Sequence, residues 1–118
     1  MSTYELDVLN RWKKRNGLKS IDLCRLAGKA IGLEFNESYG KGLWVGEYYS
    51  GKEFNPMDSN NDALFVLVTL GLSLEFNEPS QYVICDGQRS FFNDDRFFTV
   101  RCAIVTAAAE IQLKKDGI

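Results

Sequence analysis

The chain has 118 residues, of which 45% are apolar and 25% charged, with a net charge of −2 at neutral pH. That length supports one hydrophobic core and excludes two, and the composition excludes the disordered and fibrous classes. The small net charge exerts no global pull toward nucleic acid or anionic membrane, no apolar run reaches the roughly 18 residues of a membrane span, and the N-terminus lacks the apolar stretch of a signal peptide, so a cytoplasmic protein is expected.

The first predicted helix opens at Ser2-Thr3-Tyr4-Glu5, a capping box in form. Val8, Leu9 and Trp12 share one face, and Lys13, Lys14 and Arg15 precede Gly17, an ordinary helix stop. A second helix is expected from a Ser20 cap, with Leu23, Leu26, Ala27, Ala30 and Ile31 at helical spacing and Gly32 at its end. The period then changes. "LEF" and "LWVGEYY", separated by "NESYGKG", predict a hairpin with a loose glycine-containing loop.

The next segment, "FNPMDSNNDALFVLVTLGL", runs from a polar loop into a helix. Pro56 fixes its own backbone and disfavours helix at Asn55, and Ser59-Asn60-Asn61-Asp62 again has the form of a capping box. The loop's helix start invites an anion, but Asp58 and Asp62 would repel one and already serve the local amides, so the loop is read as a helix initiator. From Ala63 to Leu70 only Thr69 is polar. A helix apolar all round is expected to be buried on more than one face. "LSLEF" and "YVICDG" predict a second pair of strands, and "GQRSFFNDD" leads into a last helix capped by Asn93 or Asp94. There Phe97, Val100, Ile104, Ala107, Ala108 and Ile111 trace one face before Lys114, Lys115 and Gly117.

The order α-α-β-β-α-β-β-α predicts a single α/β layered domain over residues 1–118, with a small sheet of about four strands and helices packed on its faces. No repeat, low-complexity tract or linker interrupts it.

Three segments carry a resemblance. "IDLCRLAGKAIGLEF", "NPMDSNNDAL…LVTLGL" and "VRCAIVTAAAEI", in this order, resemble the phage αβα-sandwich domain family of small phage and prophage proteins. Phe54 stands where the family often has tryptophan, and the leading helix is an addition, residues 1–17 lying ahead of the match. The resemblance implies a layered α/β fold and a phage origin. It brings no established activity and therefore no catalytic residue.

Chemistry-bearing residues are few. Without histidine the chain lacks the commonest general base, Cys–His and Ser–His pairs and His-containing zinc sites. The acidic residues show neither metal-loop spacing nor a catalytic pair, and Cys24, Cys85 and Cys102 lie in apolar segments as buried free thiols. A non-enzymatic protein with no catalytic residue, metal or cofactor is expected. "GKGLWVGEYYSGK" is the most site-like stretch. Trp44, Tyr48 and Tyr49 offer stacking faces, the glycines leave room for a flat ligand, and Lys41 and Lys52 would neutralise a phosphate. The same aromatics would equally serve a core or a subunit interface. Arg96 and Arg101, at the start of the last helix, would reach the phosphate, with Asp94 and Asp95 competing for Arg96. "RWKKR", Arg11 to Arg15, reads as a solvated helix end, and nucleic acid is not an expected partner.

Three functions are weighed. The first is a phage counter-defence protein that sequesters a nucleotide-like signalling molecule, in a pocket that homodimerisation would help to build. The second is an inhibitor that binds a host defence protein directly through exposed aromatics. The third is a small nucleotide-cleaving enzyme.

Overall fold

The computed structural model describes residues 20–36, 42–46 and 51–117. Within them the order is α1 (Ser20–Ala30), β1 (Trp44–Val45), β2 (Lys52–Glu53), α2 (Asn60–Leu70), β3 (Leu74–Asn77), β4 (Tyr82–Cys85), β5 (Gln88–Phe91) and α3 (Arg96–Lys115). This is the mixed α/β layering expected, in the expected order. The first predicted helix lies outside the described residues. The strands divide between a two-stranded ribbon, β1-β2, and a three-stranded antiparallel sheet, β3-β4-β5.

Helix α3 is the centre of the molecule, packed by α1, by α2 and by one face of the three-stranded sheet. Its middle turns explain why. Ala103, Val105, Ala107, Ala108 and Ala109 are small, and all are buried, so neighbours approach from several sides at once. Close approach also fixes one residue of α1. A Cβ on Gly28 would stand 2.3 Å from Cζ of Phe35, so only glycine leaves room for that ring.

The start of α2 is built as expected. Ser59 is the cap and its hydroxyl accepts from the Asp62 amide at 3.2 Å. The Asp62 carboxylate reaches past the cap and accepts the Asn55 N–H at 2.8 Å, which folds the Pro56 turn back onto the helix end. At α3 the cap is Asp95, which accepts the Phe98 N–H at 3.0 Å. Asn93, one of the two expected caps, instead accepts from the Asp95 N–H and the Thr99 hydroxyl.

Three expectations need correction. The first hairpin pairs Trp44 with Glu53 and Val45 with Lys52, so the partner of "LWV" is "KE" and not the preceding "LEF". The latter segment is held at its end by the Asn36 N–H donating to the Trp44 carbonyl at 2.7 Å. The residues after Asp86-Gly87 form a third sheet strand and not a lead-in to the last helix. Both turn residues have positive φ, 48° and 87°, the backbone of a two-residue type I′ hairpin. Finally, α2 is not buried on several faces. Ala63 and Val66 are buried, while Leu64, Phe65 and Val68 are 55, 56 and 69% exposed.

Candidate functional site

That uncovered face borders a groove of about 450 Å³ between α2, β3 and the N-terminal half of α3. Its walls are Ala63, Leu64 and Leu67 on one side, Leu74 and Phe76 at the strand, and Phe97, Val100 and Ile104 on the other. The polar side chains that line it are Asn60, Arg96 and Arg101. Among the described residues no carboxylate does, in a chain where acids outnumber bases.

The local sequence explains the shape. Register places Leu74 and Phe76 on the face of β3 that also carries Val83 and Cys85, the face packed against α3. Toward the groove end this packing stops, and Phe76 remains 52% exposed, as Phe97 does at 69%. At roughly 200 Å² per large side chain, the groove residues Leu64, Phe76 and Phe97 leave about 350 Å² of apolar surface in water. That matches the largest patches of ordinary monomers, which are often functional.

The two arginines differ in state. Arg96 faces Glu78 through both terminal nitrogens, at 3.0 and 2.5 Å, and lies 4.1 Å over the Phe92 ring. Hydrogen bonding to Arg96 holds the Glu78 carboxyl below its usual range, and the same bonds raise the arginine. Among the described residues Arg101 donates to neutral acceptors only. Its Nε–H donates to the Met57 carbonyl and an Nη1–H to Asn60 Oδ1, each at 2.6 Å. Its guanidinium carbon sits 5.8 Å from the Phe98 ring centre.

The remaining candidates are not gathered in one place. Lys41, Tyr48 and Tyr49 lie outside the described residues. Trp44 and Lys52 are on the ribbon but in successive register pairs, so their side chains leave opposite faces. Lys52 borders a separate shallow cleft with Phe65 and Asp62. Arg96 and Arg101 thus line one groove, and the aromatic residues that line it with them are Phe76 and Phe97, not Trp44.

The other reactive groups are engaged in packing. Among the described residues the cysteines are free, Cys24 and Cys85 buried and Cys102 half-buried. Burial pushes the Cys24 thiol up to about 11 and Cys85 up to about 12, and also raises Cys102. Each shift favours the protonated thiol over the thiolate that reacts. The Cys102 thiol donates to the Met57 sulfur at 3.5 Å. Buried Glu110 accepts from the buried Gln88 amide and pairs with Lys114 at 3.4 Å, tying β5 to α3. No group of three acidic, cysteine or histidine side chains among the described residues is placed to hold a metal ion. No helix among them is long and apolar enough to cross a membrane.

Sequence reasoning misses Leu64, Phe76 and Phe97 as groove residues. Their signal is present as a surplus: more large apolar side chains flank the α2 loop than one small core can absorb. Compared with protein-family models, curated proteins and solved structures, the chain matches none.

Proposed function

We propose that this protein works by holding a partner polypeptide against the groove between α2, β3 and α3, acting by occupancy and not by catalysis. The observation that carries this reading is the apolar groove itself, with Leu64, Phe76 and Phe97 on its walls all more than half exposed. A face of this composition is depleted of charge and rich in aromatics, which is the make-up of interface centres. The groove lining also favours a polypeptide over a nucleotide. A base and ribose bring many hydrogen-bonding edges, and apolar walls with Asn60 as the one neutral polar side chain would leave most of them unpaired. Apolar side chains of a partner lose nothing there. In the phage setting that the sequence resemblance implies, such a module serves as an inhibitor that covers a host protein.

The test is photo-crosslinking in producing cells. A benzophenone side chain placed at position 64 or 97 is expected to give a discrete adduct with a second polypeptide. The same probe at position 89, on the opposite face of the three-stranded sheet, is expected to give none. Equal labelling from all three positions, or labelling from 89 alone, contradicts the proposal.

A further inference from the structure

We infer that the groove selects a partner segment that is apolar along one side and carries a carboxylate at the Arg101 end. This rests on the polypeptide-binding reading and adds the chemistry of the partner.

The two arginines carry different charges to the surface. A guanidinium has five N–H donors in a planar fork and stays charged. Glu78 neutralises Arg96 within the fold. Two of the N–H groups of Arg101 are taken by the Met57 carbonyl and Asn60 Oδ1, which fix its plane but do not cancel its charge. Among the described residues no carboxylate lies within ion-pair distance of Arg101. The nearby acids are engaged elsewhere, Asp62 with the Asn55 backbone N–H and Asp58 with the Asn55 side-chain amide.

Arg101 is therefore an immobilised cation with donors to spare, standing at the edge of an apolar trough. Its side-chain entropy is already spent on internal contacts, so an incoming carboxylate meets a preorganised partner. The rest of the lining adds no anion to compete for it. A segment with apolar residues at i, i+3, i+4 and i+7 fills a groove bounded by two helices, and one Asp or Glu beside them completes the charge.

A purely structural role for Arg101, as a strut from α3 to the turn before α2, makes a different prediction. It would alter stability without altering the sequence preference of bound peptides. The experiment is a display selection of 16-residue helix-forming peptides with randomised positions, run in parallel on the wild type, Arg101→Gln and Arg101→Lys. Circular dichroism confirms that each variant is folded. The wild type is expected to enrich the apolar i, i+3, i+4, i+7 pattern with Asp or Glu at one fixed flanking position. Peptides bearing that acid should bind Arg101→Gln about 10-fold or more weakly, the size of one charge-assisted hydrogen bond. Arg101→Lys, which keeps the charge, should retain the acidic preference.

Apolar enrichment with no acidic position, or an acidic preference unchanged in Arg101→Gln, overturns the inference and leaves the polypeptide-binding reading intact. No enrichment above the support alone overturns both. Light scattering at the selection concentration covers the remaining occupant: a dimer abolished by Leu64→Lys would put a second copy of this chain in the groove and overturn the acidic-partner inference.

Discussion

Helices α1 and α2 are each 11 residues long and differ in an instructive way. Helix α1 is amphipathic, with Asp22, Arg25 and Lys29 among its apolar positions, and it buries Cys24, Ala27, Gly28 and Ala30 against its neighbours. Helix α2 is far more apolar, yet it buries only Ala63 and Val66. Local hydrophobicity and burial have come apart. In α1 most of the apolar stripe is covered, with Ile21 left 41% exposed. In α2 it exceeds what the fold covers, and part of the excess, Leu64, lines the groove. On the proposed reading, that surplus serves a partner.

The contrast can be broken from the core side first. Val66 is fully buried, and Val66→Lys places an uncompensated ammonium in the core. A loss of about 3–5 kcal/mol or outright unfolding is expected in urea titration. A loss below about 0.5 kcal/mol, the usual size for surface substitutions, would show that α2 is peripheral throughout. Next comes the tight face of α1. Gly28→Ala drives a methyl into the Phe35 ring, where it would also stand 3.3 Å from the Phe54 ring, and overpacking should cost about 1–3 kcal/mol. A neutral or stabilising result would mean that the α1 face is no better filled than that of α2.

The smallest effect is expected from pH. Cys24 and Cys85 have folded-state values raised by burial, to about 11 and about 12. Their contribution is complete below the ordinary thiol range and is lost as pH rises through that range toward the folded values, because the unfolded chain releases those protons first. The melting temperature should therefore fall on the alkaline side, and less steeply in a Cys24→Ala/Cys85→Ala double variant. An identical alkaline slope in the two proteins would show that these thiols are not desolvated in the core.

Much of the architecture is legible in the amino-acid sequence. The Ser59 cap, the α2 and α3 spans and the β3-β4 pair follow from spacing and turn chemistry. Two failures have physical causes. The strand Lys52–Glu53 is two charged residues with no β signature, so by pattern the aromatic "LEF" is the better partner for "LWV". That mispairing hides the opposite facing of Trp44 and Lys52. The third sheet strand has a usable signal in Asp86-Gly87, the dipeptide best suited to a type I′ turn. The exposed face of α2 is not legible. An apolar run specifies that a helix needs cover, and only the number and placement of neighbours decide whether the fold supplies it. Of the candidate site residues, Arg96 and Arg101 fall in the groove because helix starts gather there.

The most direct measurement pairs stability with binding in the Leu64→Lys/Val68→Lys double variant. Both positions lie on the outer stripe of α2, more than half exposed. An unfolding free energy within about 0.5–1 kcal/mol of the wild type in urea titration is expected, together with loss of the groove-selected peptides. A loss of several kcal/mol in stability would mean that this face is part of the core. Undiminished peptide binding by a folded variant would mean that the groove is not the site.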